Sequence, residues 1–428
     1  MLTTSLLLVS LLGQYPARVT LVFGGDVIPH DPVKYVAAMH ARTGEDANND
    51  GWDHVLGPLA PALQRADFAL VNLETPIGLF KRPETGEMVF NAKPALLGAL
   101  KRVGVDVATF ANNHCLDQHQ EGITSTRTAL EEAGLLTAGA GANAEAAWTP
   151  LVLEKNGLRI GILAVTRWLN GFHNKKDEQL PHVPAVPYLI EPIVGGHSID
   201  DFLASIRERA AEVDVLIVTI HWGAEYKFAP APEDRKLAQQ MIDAGAFAVI
   251  GHHPHVLQPV EFLERSQGGK GLVVFSLGNL LSNQDFDNVN GAKRDGLLME
   301  LELVRETPDG PVRLESAHAV PVATENVLGR GKLRNVQALL LDDELAAIEE
   351  RLVELAGRSD PSTKKEDAAT KKERRELEAR RKVGLARRSR IASFIPAAMI
   401  DPLPAAPAPG ELVKVTGERP PELPRAKQ

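Results

Sequence analysis

Six short apolar runs rich in Val, Ile and Leu recur through the first two thirds of the chain, and each ends in polar residues. Residues 19–23 lead into Gly24-Gly25-Asp26, 68–71 into Asn72-Leu73-Glu74, and 105–110 into Asn112-Asn113-His114. Residues 213–220 lead into His221-Trp222-Gly223, 246–250 into Gly251-His252-His253-Pro254-His255, and 272–275 into Ser276-Leu277-Gly278-Asn279. Continuous runs of this kind are strands covered on both faces of a largely parallel sheet. Helical stretches separate several of them. Ile123, Leu130 and Ala133 share a helix face before Gly134, and Leu237, Met241 and Ala244 share one before Gly245. Glycine just past an apolar stripe is a helix stop. Hairpins interrupt the alternation. Residues 151–155 and 158–165 flank Asn156-Gly157, the signature of a type I′ turn, and 297–304 and 312–320 flank Thr307-Pro308-Asp309-Gly310. The mixture predicts an α/β protein with two packed sheets and helices outside.

This pattern defines a body over residues 17–330. Residues 1–16 hold a short apolar run that reads as a signal or leader segment, although no Lys or Arg precedes it. No apolar stretch reaches the 18 residues of a spanning helix. Beyond residue 330, Leu341, Leu345, Ile348, Leu352 and Leu355 recur at helical spacing, with Gly357 as the stop. That stripe needs a partner, expected to be the body. Residues 364–390 carry twelve Lys/Arg against five Asp/Glu, a local +7 in a chain of net charge −9. Such a run is read as a solvated, loosely attached helix, or else as a basic arm for an anionic polymer or membrane surface, within a helical, charged extension over 331–401. Residues 402–428 contain Pro402, Pro404, Pro407 and Pro409 and read as an extended, Pro-rich tail. The acidic balance argues against nucleic acid as partner. A single cysteine excludes a disulfide framework and a cysteine zinc cluster.

In open α/β sheets, ligands bind beyond the carboxyl ends of the strands. Five of the predicted strands end in Asp26, Glu74, Asn113/His114, His221 and His252/His253/His255. Carboxylate, amide oxygen and imidazole at one sheet edge form a donor set for Mn, Fe or Zn. In His253-Pro254-His255, an extended backbone aims positions i and i+2 the same way, so the two imidazoles face one metal centre or one each of two metals; a kink exchanges His253 for His252. Asp117, three residues beyond His114, is placed to hold that histidine's tautomer or to cap the following helix.

These residues resemble the CapA family of capsule and poly-γ-glutamate synthesis proteins, which is similar in turn to the calcineurin-like metallophosphoesterases. The resemblance covers roughly residues 19–285. It runs through Gly25-Asp26, Asn72-Leu73-Glu74-Thr75-Pro76 and Ala111-Asn112-Asn113-His114-Cys115-Leu116-Asp117. It continues through Gly122, Thr126, Ala138-Gly139-Ala140-Gly141 and His221-Trp222-Gly223-Ala224-Glu225-Tyr226, then Gly251-His252-His253-Pro254-His255-Val256-Leu257-Gln258 and Ser276-Leu277-Gly278-Asn279. The implied fold is a four-layer α-β-β-α sandwich of the metallophosphoesterase type, here with a C-terminal helical extension. The implied metal ligands, for one or two divalent ions, are Asp26, Glu74, Asn113, His221, His253 and His255. His114, with Asp117, is the implied catalytic pair, and Asn112 and Asn279 are expected on the substrate side. Two departures matter: the phosphoesterases commonly place histidine two residues after the first aspartate, where this chain has Ile28, so that one metal site is incomplete or His30 substitutes; and the CapA-like pattern usually continues after the later aspartate with an aromatic and Gly, where this chain has Gln118-His119.

The implied function is that of a metal-dependent hydrolase acting on an anionic polymer such as poly-γ-glutamate, with membrane-associated synthesis machinery as partner. Its location is then the cell envelope, or the cytoplasm if the leading run is no signal. Two alternatives remain: a non-catalytic polymer-binding accessory of capsule synthesis or export, and a phosphoesterase of unrelated substrate. Among basic residues of the same half, Lys81, Arg82, Lys93 and Arg167, the residues Arg82 and Lys93 are the candidate polymer contacts.

Overall fold

The computed structural model describes residues 15–43, 50–78, 89–188, 196–284, 291–329, 332–357 and 367–402. The strands are β1 (Ala17–Val27), β2 (Phe68–Leu73), β3 (Val107–Thr109), β4 (Leu136–Ala138), β5 (Leu151–Lys155), β6 (Leu158–Thr166), β7 (Val215–His221), β8 (Ala248–His252), β9 (Leu257–Glu264), β10 (Lys270–Leu277), β11 (Asn279–Leu281), β12 (Asp295–Arg305), β13 (Val312–Gly329) and β14 (Lys332–Leu340). The helices are α1 (Asp31–Thr43), α2 (Trp52–Leu56), α3 (Ala60–Leu63), α4 (Ala95–Arg102), α5 (His119–Glu132), α6 (Ala144–Trp148), α7 (Ile199–Ala210), α8 (Pro232–Asp243), α9 (Leu341–Gly357) and α10 (Ala368–Ala392). The signal-like run, Lys81, Arg82 and the tail past residue 402 lie outside the described residues. No described helix is long and apolar enough to cross a membrane.

The protein is a mixed α/β structure with two sheets. One runs β14-β13-β12-β1-β2-β3-β4, with β11 also paired to β1; the other runs β5-β6-β7-β8-β10-β9. The six runs read from the sequence are β1, β2, β3, β7, β8 and β10. The β5–β6 hairpin turns at Asn156 and Gly157, both at positive φ (52° and 79°), the backbone that a type I′ turn requires. Strands β1, β2, β3 and β4 are mutually parallel, as are β6, β7 and β8, so their carboxyl ends fall on common edges. Val218, Ile220, Val249, Val273 and Phe275 form one core with Phe202 and Ile206 of α7 and Leu237 and Met241 of α8. Each such side chain, fully buried, contributes about 1.5–3 kcal/mol.

The described residues fall into two compact units, one within residues 15–341 with 387–401 and the other within residues 342–386. The body therefore extends past the expected limit at 330, because β14 continues its sheet. Nor is the basic run solvated throughout, as its composition implied. Arg387, Arg388 and Ile391 are buried. Arg387 Nε donates to Asp295 Oδ1 at 2.7 Å and Arg390 Nε to Asp295 Oδ2 at 2.7 Å. The Val260 N–H donates to the Phe394 carbonyl at 2.9 Å, so chain from beyond residue 387 binds the edge strand β9. A buried carboxylate selects arginines that composition alone assigns to solvent. Within the second unit, Arg351 pairs with Glu373 at 2.7 Å and Arg380 with Glu344 at 2.5 Å. On the predicted stripe, Leu341, Leu345, Ile348 and Leu355 are buried.

Candidate metal centre

Register brings the polar strand ends together. Asp26 pairs with Asn72 across β1 and β2, and with Asn279 across β1 and β11. His221 pairs with His252 across β7 and β8. Two glycines permit the close backbone approach behind these ends. A Cβ on Gly25 would lie 2.1 Å from the Gly278 carbonyl oxygen, and one on Gly251 would lie 2.0 Å from that of Phe275.

All six expected ligands meet. Asn113 Oδ1 lies 2.8 Å from His221 Nε2. Glu74 Oε1 lies 3.6 Å from His221 Nε2 and 3.7 Å from His255 Nε2. Asp26 Oδ2 lies 3.3 Å from His255 Nδ1. Glu74, His221 and His253 form one group of converging donors, and Asp26, Glu74 and His255 another, so Glu74 is common to both. Asp26, Glu74, His221, His253 and His255 are all buried, yet both Glu74 oxygens and His253 Nδ1 lack a hydrogen-bond partner. Buried polar atoms are normally satisfied, and unpartnered lone pairs converging from several elements fit a cation. This cluster can hold a metal ion.

The charges are set by burial and by close neighbours. Burial pushes Glu74 well above the usual carboxylate range, reinforced by the charges of Asp26, Glu225 and Asp117. Burial also acts upward on Asp26, but hydrogen bonds from His252 and His255 outweigh it and hold that carboxyl well below its ordinary value. His253 is pushed down to about 3 by burial and then by His255, and His221 falls well below 6.5 for the same first reason, with His253 next. These imidazoles are therefore neutral near pH 7, the state in which a ring nitrogen binds a metal.

The loop after β8 differs from the extended form expected. His253 and His255 have φ of 96° and 55°, so a left-handed path, not simple alternation, brings both rings inward. His252 Nδ1 lies 3.1 Å from Asp26 Oδ1 and belongs to none of the converging groups, leaving His253 as the ligand candidate. His30 does not replace the missing histidine. Its Nδ1 accepts from the Asn283 N–H at 3.3 Å, and its ring stands edge-on to Phe90. Ile28 is buried.

Beside the cluster, His114 Nδ1 donates to Asp117 Oδ2 at 2.7 Å. The Phe90 N–H donates to the same oxygen at 2.6 Å, and the Phe90 ring stacks on His114 at 4.0 Å. Asn112 and Asn279, expected on the substrate side, are instead buried braces. Asn112 donates to Asn72 Oδ1 and the Leu73 carbonyl and accepts from the His114 N–H. Asn279 Oδ1 lies 3.2 Å from His255 Nδ1, and its amide donates to the Lys293 carbonyl at 2.7 Å. Arg167 is buried too, 2.9 Å from Asp234 and stacked on Tyr188, so it is not a polymer contact. Lys93 is exposed and lines a surface cavity of about 310 Å³ with Lys34, Arg42, Asp50 and Trp52. Sequence reasoning missed Asn72, which donates to Asp26 Oδ1 at 2.8 Å. It also missed Asn170, which accepts from Asn113 Nδ2 at 3.2 Å and lies 3.4 Å from His114.

Residues 20–284 match the family described as bacterial capsule synthesis protein PGA_cap. The chain belongs to this family. Among curated relatives, the capsule biosynthesis protein CapA of Bacillus anthracis is 28% identical over 67% of this chain and 64% of its own length. The PGA biosynthesis protein CapA of Bacillus subtilis is 28% identical over 67% of this chain and 72% of its own. A probable polyglutamine synthesis accessory protein of Mycobacterium tuberculosis is 28% identical over 69% of this chain and 82% of its own. The chain thus spans just under two thirds of the length of the Bacillus anthracis protein.

Proposed function

We propose that this PGA_cap protein is a divalent-metal-dependent hydrolase of capsule or poly-γ-glutamate biosynthesis, acting on an anionic polymer at the cell envelope beside membrane-associated synthesis machinery. The observation that carries the reading is Glu74. Both its oxygens lack a hydrogen-bond partner, and the residue belongs to two donor groups, next to the His114–Asp117 pair. Two sheets, with α7 and α8 against the second and α5 against β4 of the first, support the four-layer sandwich of the metallophosphoesterases. The relatives' names supply the polymer.

Asp26, Glu74, Asn113, His221, His253 and His255 would hold the cation or cations, and this borderline donor set suits Mn, Fe or Zn. When bound, such an ion supplies hydroxide near neutral pH, since it lowers the pKa of its water to about 7. Asp117 accepts the Nδ1 proton of His114 and fixes the ring, while the stacked Phe90 prevents it from turning. His114 Nε2 is then the atom that takes up the proton lost by the attacking water and passes it to the leaving group. In cleavage of a γ-glutamyl amide, a water oxygen bonds to the carbonyl carbon and the C–N bond breaks. The amine departs with the proton from His114. At a phosphoester the water oxygen bonds to phosphorus, the P–O bond to the leaving alkoxide breaks, and the alcohol departs with the proton from His114.

A second reading, a polymer-binding accessory without turnover, draws on Ile28 standing where the phosphoesterases have a ligand. One experiment separates the two. Mn-loaded protein is offered poly-γ-glutamate and a phosphodiester. Hydrolysis of either, abolished in Asn113→Ala, supports the enzyme; tight polymer binding without turnover supports the accessory.

A further inference from the structure

The β1 strand offers no histidine two residues beyond Asp26, and His30 is engaged elsewhere. A different element brings a carboxylate to the cluster. Glu225 lies on the turn that follows β7, and one of its oxygens converges with ring nitrogens of His253 and His255 within 4.8 Å. That group shares His253 with the first donor group and His255 with the second.

The placement is built into the backbone. At one end of the turn the Trp222 N–H donates to the His252 carbonyl at 3.1 Å; at the other the Tyr226 N–H donates to the Pro254 carbonyl at 2.8 Å. These bonds tie residues 222–226 to residues 252–254 in fixed register, with Glu225 between them. Trp222 is anchored further, its Nε1 donating to the Phe275 carbonyl at 3.0 Å. The segment turns through Gly223 at φ 87° and Tyr226 at φ 62°. Glu225 itself is half-buried, whereas the groups it approaches are buried. His253 Nδ1 and both Glu74 oxygens, all without hydrogen-bond partners, leave lone pairs in this cluster for a cation.

We propose that Glu225 is a metal ligand of this centre, supplying with His253 and His255 the donor that Ile28 cannot. The inference rests on the metal-binding reading above and goes beyond it, because it assigns a ligand outside the inherited set. A carboxylate carries a full negative charge where the substituted histidine would be neutral. The centre should thereby favour harder ions, Mn over Zn, relative to an all-imidazole arrangement.

Mn binding to the metal-free full chain, measured by calorimetry and by the paramagnetic resonance signal of free Mn, tests this. Wild type is expected to bind Mn. Glu225→Gln, nearly isosteric, should lose one equivalent or weaken one site by about tenfold or more, and its unfolding midpoint without metal should match wild type. Glu225→Asp should recover part of the loss. Stoichiometry and affinities within twofold of wild type in Glu225→Gln, while Asp26→Ala loses Mn, would overturn the assignment and leave the centre standing. No binding of Mn, Fe or Zn by wild type would overturn the centre itself.

Discussion

Arg387→Ala should unfold the protein more readily than any exposed arginine substitution. Asp295 is buried at the start of β12, and its two oxygens accept from Arg387 and Arg390 at 2.7 Å each. Arg387 also donates to the carbonyls of Thr324 and Arg294. Breaking one side of a buried pair costs about 3–5 kcal/mol, because a charge is left uncompensated. Arg390 still faces Asp295 with a side chain 24% exposed, which places the expected cost near the lower bound, about 3 kcal/mol. Equilibrium urea unfolding, followed by tryptophan fluorescence, reads this directly, since all four tryptophans lie within residues 1–341. Adding Asp295→Asn to the same chain should restore a substantial part of the loss, because the neutral amide removes the stranded charge. Truncation after Gly357 removes both arginines together with buried Ile391, Ile395 and Met399, and should be worse than the single change. A cost under about 1 kcal/mol, the range of surface pairs, would refute the account of residues 387–401 as part of the body.

Asp117→Asn should lower turnover by about 100-fold and shift the pH profile, with bound metal unchanged, since it touches the proton carrier and not the ligands; metal analysis beside rate against pH checks both. Asn170→Ala removes the amide between Asn113 and His114, so Mn affinity should fall by about tenfold in a competition titration. Burial, and then the nearby His255 and His114, lower His30 to about 4. Its neutral ring therefore favours the folded state fully above pH 6.5, and that contribution fades as pH falls from 6.5 through 4. Metal-free His30→Gln should accordingly lose less stability than wild type over that window in pH-dependent urea melts.

The parallel strands were legible because a strand buried on both faces must be continuously apolar, and the polar residues that end it stand out. Five strand ends bearing possible donors follow from that contrast, while the choice of ligands among them came from the family resemblance; Asn156-Gly157 marks its hairpin because few residues accept that turn. Strands β4 and β11, three residues each, are too short to show a period. Asn170 sits at a left-handed loop position, where no periodicity points to it. Its role exists only through two side chains 56 and 57 residues away. The burial of Arg387 depends on Asp295, 92 residues earlier, so a local charge count could not reveal it. The left-handed His253 and His255 likewise depend on surrounding structure that holds a backbone these residues seldom adopt.

The central claim is that the buried donor cluster around Glu74 holds a divalent cation at the strand ends. Crystals soaked in Mn and measured at its absorption edge test it most directly. The account predicts anomalous peaks in contact with the Glu74 carboxylate and bounded by His221, His253, His255 and Asp26, absent from Glu74→Gln crystals soaked alike. Soaked crystals without such a peak, or with one away from Glu74 that persists in the variant, would contradict it.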